Sequence, residues 1–347
     1  MTHNPPPIPP LQPLLASAQP SRTALLCGIA RARHQLLDKG EVFADALALD
    51  ILGPDHAAQV RQWAVDHGPG GPLSDRGSFS EAMRGALAAR SRIAEDTLRE
   101  AVAAGATQYV VLGAGLDTFA LRRQWPPGLA RMFEVDHPAT QAWKRKLAAS
   151  AGLQMPAHAA FVPVDFGQQD FMEQLVAQGL DPHERTVFAW LGVSMYLDPC
   201  AVRATLERIG TQMAPGSVLV FDYVRRPAPR ELGWRLALGL MARRFRRMGE
   251  PWHCLLNDRD LQDMLAECGF APPEVFSAQD IMRTLLSSRP ASRLQRAMGG
   301  LLGGVVRVRV RAGAGGRQAH PALRLGVFWP CPNGASKRTG SRRKAQP

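Results

Sequence analysis

The chain has 347 residues, 46% hydrophobic and 21% charged, the balance of a soluble globular protein large enough to bury a core without disulfides or a structural metal. Its formal net charge is +12, but ten Lys or Arg and no acid fall between Leu301 and Pro347, so the first 300 residues carry only +2. That distribution argues against a nucleic-acid-binding body, although a basic nucleic-acid-binding protein remains an alternative reading.

Residues 1–20 are Pro-rich and hold no Asp, Glu, Lys or Arg. They read as a disordered lead without the basic start and apolar centre of an export signal. Ser21 then has the character of a helix N-cap, and Leu25, Leu26, Ile29, Ala30, Leu36 and Leu37 recur at helical period. Helical patterning continues through Val42–Leu52, His56–Val65 and Glu81–Ala104, broken by the Gly/Pro cluster at 67–77, so residues 21–107 form a helical cap.

The pattern changes at Gln108. Short apolar runs end at Leu112, Val135, Val164, Trp190 and Val224, and between them lie helix-like stretches at 116–123, 138–149, 168–178 and 199–213. Strand alternating with helix predicts an α/β fold with a parallel, Rossmann-like sheet covered on both faces. The core spans 108–285, with a basic amphipathic insertion at about 225–252 forming a helical lid over the ligand edge and a further helix at 258–268. Residues 286–347 read as a basic, partly disordered tail, in which the alternation at 305–310 suits an edge strand. No apolar run approaches the ~20 residues of a membrane span, so no membrane partner is expected. The five cysteines form no CxxC pair and stand near no His at zinc spacing. They suit free thiols in a cytoplasmic setting, and no metal is expected.

The chemistry concentrates at the strand ends. Gly113, Ala114 and Gly115 follow the first strand, where glycines let the backbone turn sharply and approach a ligand. A dinucleotide fingerprint would place a small residue where Thr118 stands, preceded here by Asp117. A carboxylate beside the loop repels a pyrophosphate but tolerates the cationic sulfonium and ammonium of S-adenosylmethionine. This favours a methyltransferase over an NAD(P)-dependent oxidoreductase, the other enzyme reading of the fold; a simple helix-capping Asp117 is the structural alternative. Asp136, at the tip of the second strand, suits a ribose hydroxyl pair or an N-cap for the helix after Pro138. Asp165 and Phe166, after the third strand, suit an adenine amino group and ring, or a turn before Gly167. Ser194 and Tyr196 are the polar groups after the fourth strand, and Tyr196 suits orientation of an acceptor or a structural hydroxyl.

These residues resemble a known group. The segments QYVVLGAGLDTFALR (108–122), FEVDHPATQAWKRKL (133–147), FVPVDF (161–166) and FAWLGVSMYLDPCAVRATL (188–206), with AARSRIAED (88–96), are similar to the leucine carboxyl methyltransferase-like family, specifically its bacterial class I O-methyltransferases that use S-adenosylmethionine. The resemblance covers roughly residues 20–270. It implies a class I methyltransferase sheet with helical caps over a small-molecule methyl acceptor, a carboxylate or a hydroxyl. It further implies that Arg90, with Arg92 as alternative, reaches the methionine carboxylate, that the glycine loop lines the methionine, that Asp136 holds the ribose, and that Asp165 with Phe166 holds the adenine. Some relatives carry Glu where this chain has Leu191, which removes a polar contact near the methyl donor, and the pattern lapses after about Leu286.

Overall fold

The computed structural model describes residues 21–68, 71, 73, 79–122, 124–166, 169–247, 251–277, 281 and 302–313. The Pro-rich lead and most of the basic tail therefore lie outside the described residues.

Five parallel strands, β1 (Gln108–Leu112), β2 (Arg131–Asp136), β3 (Ala159–Pro163), β4 (Thr186–Trp190) and β5 (Val218–Val224), run through the sheet in the order β3-β2-β1-β4-β5. Antiparallel β7 (Leu302–Arg309) pairs with β5, and the short β6 (Glu274–Phe276) pairs with β7 at the far edge. Chain order reverses between β1 and β4, the switch point at which open α/β sheets bind ligands beyond their carboxyl ends.

Period-two alternation sorts each strand between two cores. Val110 and Leu112 face one side with Phe133, Phe188 and Trp190, under α5 (Phe171–Ala177), α6 (Pro199–Gln212) and α8 (Asp258–Glu267). Tyr109 and Val111 face the other, under α3 (Phe79–Ala103). A third cluster joins α1 (Arg22–Leu37), α2 (Gly53–His67) and α4 (Pro138–Ser150) through Ala32, Val60 and Ala148. As expected, Ser21 caps α1, its hydroxyl accepting from the Ala24 amide at 3.2 Å. The lid is a single helix, α7 (Leu232–Arg247).

Three expectations about elements need correction. The helical pattern at 42–52 forms turns ending in a 3-10 turn at Asp50–Leu52. Side chains there satisfy the backbone in place of a helix: Gln35 donates to the Phe43 carbonyl, and its amide oxygen accepts from Asp45. The stretch after the glycine loop is likewise only a 3-10 turn, Phe119–Leu121, because Arg31 of α1 occupies that flank and donates to the Leu116 carbonyl. The alternating strand β7 is interior, between β5 and β6. Val306, Val308 and Val310 join the core, while Arg307 is neutralised by Glu274 and Glu100, each at 2.6 Å. Among the described residues, Cys27, Cys254 and Cys268 carry free thiols.

Candidate active site

The glycine loop is shaped by its backbone. Gly113 and Gly115 adopt φ of +68° and +50°, a region closed to most L-residues. The Gly113 and Ala114 amides both donate to the Val135 carbonyl, at 2.7 and 3.1 Å. Asp136 completes the turn: one carboxylate oxygen accepts from the Gly115 amide and the other from the His137 amide at 2.6 Å. Its carboxyl is held above the usual range, because burial outweighs those two bonds. Asp136 is not the cap of α4, since the His137 ring accepts from Ala139 at 3.2 Å. The neighbouring acid on β2, Glu134, is fully buried against Lys144 at 2.5 Å, and burial pushes its carboxyl up to about 7.

Asp117 accepts from the Phe119 amide at 2.7 Å and lies 3.3 Å from Arg31. Burial works against its ionisation, but Arg31, Lys144 and Arg122 together hold its carboxyl below the ordinary value. Its negative charge is thus partly spent on the protein, which weakens the repulsion of a pyrophosphate expected from the sequence. Arg31 also lies 3.5 Å from the buried Asp45, which in turn accepts from Thr118 at 2.7 Å. This network ties the helical cap to the loop.

Arg90 projects from α3 to the ends of β4 and β5. Its guanidinium donates to Asp222 at 2.6 Å, and the second Asp222 oxygen accepts from the Gly192 amide at 2.6 Å. Burial disfavours the Arg90 charge, but Asp222, Cys27 and Tyr196 outweigh it and raise the pKa above the ordinary value. Gly192 adopts φ +73°, a region that disfavours most L-residues, and a Cβ there would stand 2.8 Å from the guanidinium. Arg92, the alternative, is half exposed and pairs with Asp96 at 2.5 Å; it does not line the cavity.

A cavity of about 340 Å³ opens at the carboxyl ends of β1 to β4, within the size range of small-molecule sites. Arg90, Gly113, Ala114, Gly115, Asp117, Asp136, Asp165, Phe166 and Tyr196 all line it. Leu191 lines it as well, and the cap contributes Cys27, Arg31, Ser91 and Glu95. The Asp165 amide donates to the Gln169 side chain at 2.9 Å, and the Phe166 ring lies 6.0 Å from Phe171. Tyr196 ends a 3-10 turn and packs with Trp234 of α7 and with Trp252. Ser194 is buried and donates to the Asp222 carbonyl at 2.6 Å, a structural role. Sequence reading missed Asp222, Arg31 and Glu95. Asp222 alone left a trace, as an acid inside an otherwise apolar strand. Among the described residues, no group of three or more His, Cys, Asp or Glu could hold a metal ion.

A solved structure from Thermobifida fusca, described as that of a methyltransferase candidate, matches 85% of this chain and 96% of its own with a TM-score of 0.50 at 20% identity, a likeness of fold. The fold is the Rossmann-like class I methyltransferase architecture, with an N-terminal helical cap and an inserted helical lid. The leucine carboxyl methyltransferase family model matches residues 24–210, and the chain belongs to that family. YktD of Bacillus subtilis, named as a candidate S-adenosyl-L-methionine-dependent methyltransferase, is 28% identical over 289 residues, spanning 78% of this chain and 92% of its own. A Frankia alni protein with the same description, FRAAL3836, is 36% identical over 153 residues, 44% of this chain and 54% of its own. This match thus spans about half the length of the Frankia relative.

Proposed function

We propose that the protein is an S-adenosylmethionine-dependent methyltransferase that methylates an oxygen, a carboxylate or hydroxyl, of a small molecule. One observation carries the reading: nine of the residues singled out from the sequence and its family resemblance for cofactor and acceptor line a single cavity, at the switch point of a sheet whose family is known. The cavity's chemistry fits the cofactor. A buried guanidinium suits a carboxylate, a carboxylate after β2 suits a hydroxyl pair, and a carboxylate with a ring after β3 suits an aminopurine.

Bound there, S-adenosylmethionine supplies an already activated methyl group, so the protein's task is alignment more than proton transfer. Arg90, held by Asp222, is the proposed clamp for the methionine carboxylate, and the loop 113–115 keeps side chains away from the methionine stem. Asp136 offers its remaining lone pairs to the ribose while its bonds to Gly115 and His137 fix its direction. Tyr196, between the cavity and the lid, orients the acceptor. A carboxylate acceptor needs no general base, which agrees with the cavity residues after β4, Leu191, Gly192, Val193, Tyr196 and Leu197, including no His or Lys; His137 lines the cavity at the end of β2 instead.

Calorimetric titration with S-adenosylhomocysteine tests the reading. The wild type should bind, and Asp136→Ala should bind at least tenfold more weakly while still melting cooperatively. Binding of NADH with no response to S-adenosylhomocysteine would overturn it in favour of an oxidoreductase.

A further inference from the structure

The lid helix α7 has two faces that want different surroundings. Its inner face rests on the protein: Leu238 is buried, and Trp234, Ala237 and Met241 pack with it around Tyr196 and Trp252. Its outer face carries Leu232, Leu236 and Leu240, which are 70%, 68% and 58% exposed. Spaced four apart, they form one line along the helix. Arg235, Arg243, Arg246 and Arg247 are exposed on the same side of the helix. The helix contains five Arg and no Asp or Glu.

Three leucines in a row are costly to leave in water, and a line of them marks an interaction surface. The flanking charge says what kind. Arginines alongside an apolar stripe on a helix lying at a protein surface match the requirements of a bilayer interface: leucines enter the acyl boundary, and guanidinium groups meet anionic headgroups. No described helix is long and apolar enough to cross a membrane, but lying on one makes no such demand. A surface contact of this kind departs from the expectation of no membrane partner, which rested only on the lack of a spanning segment.

We infer that the outer face of α7 docks the protein on an anionic lipid bilayer. Docking would hold at the membrane surface the lid whose inner face packs on Tyr196 at the cavity wall.

Vesicle co-sedimentation of the full chain tests this. Vesicles of phosphatidylcholine with phosphatidylserine should retain the protein, pure phosphatidylcholine should not, and raising salt from 0.1 to 1 M should release it. The triple variant Leu232→Ser, Leu236→Ser, Leu240→Ser keeps every charge, including the basic C-terminal residues, and should bind at least tenfold more weakly. Its circular dichroism and melting should match the wild type, since these side chains are exposed. Equal vesicle binding by wild type and variant would overturn the inference and assign the attraction to charge elsewhere. So would a wild-type dimer that the variant converts to monomer, because a second copy would then cover the face.

Discussion

Gly113 shows how much of the site is decided at single residues. Its φ of +68° excludes most side chains, and a Cβ there would stand 2.3 Å from Val193 Cγ2. Gly113→Ala should therefore lower stability by about 1–3 kcal/mol from backbone strain alone, with a further loss as Val193 is displaced. Gly105→Ala separates the two terms, because Gly105 has φ +97° but nothing within 4 Å of the added carbon. Urea denaturation should show the larger drop for Gly113; equal drops would show that Val193 yields freely. At this scale, residues that line the cavity were legible, since glycines after a strand and acids at strand tips stand out in a sequence. Residues that hold others in position were not. Asp222 lies 132 positions from the arginine it anchors, and nothing local connects them.

Elements were legible where burial enforces a simple period. The apolar strands β1, β2, β4 and β5 appear in the sequence nearly at their observed bounds. The 3-10 turn at Phe119–Leu121 was read as a helix because sequence period cannot register that Arg31 already fills that flank. The alternation in β7 was read as an edge for a similar reason. An alternating strand ordinarily turns one side to water, but here the arginine side is closed by Glu100 and Glu274, which come from α3 and β6. Since β7 pairs along the whole of β5, it is a structural member and no appendage. A chain ending at Gly300 should lose its cooperative unfolding transition, because β5 would present an open apolar edge and β6 would have no partner. A thermal melt by circular dichroism reads this directly, and wild-type melting of that shortened chain would refute it.

At the scale of the whole molecule, cap and sheet meet at the cavity, and a ligand bound there touches both. A ligand that binds only the folded form stabilises it by mass action, about 2.7 kcal/mol at 100 times its Kd. S-adenosylhomocysteine at that excess should raise the melting temperature of the entire chain in one transition, by roughly 2–4 °C for each kcal/mol in a domain of this order. A ligand-induced shift of only part of the transition would mean that cap and sheet unfold separately. The general plan, helices first and then alternating strands, was visible in the sequence. The closure of the cavity was not, because it depends on pairs such as Arg31 with Asp117 and Arg90 with Asp222 that join distant parts of the chain.

The pairing of Arg90 with Asp222 also sets a timetable. During synthesis the arginine leaves the ribosome 132 residues ahead of the carboxylate that fixes it, and the glycine loop likewise emerges before β5 exists. Until that fifth parallel strand is made, the guanidinium lacks its anchor and the pocket lacks a finished wall. A growing chain therefore acquires its proposed cofactor clamp late, only after most of the sheet has been translated.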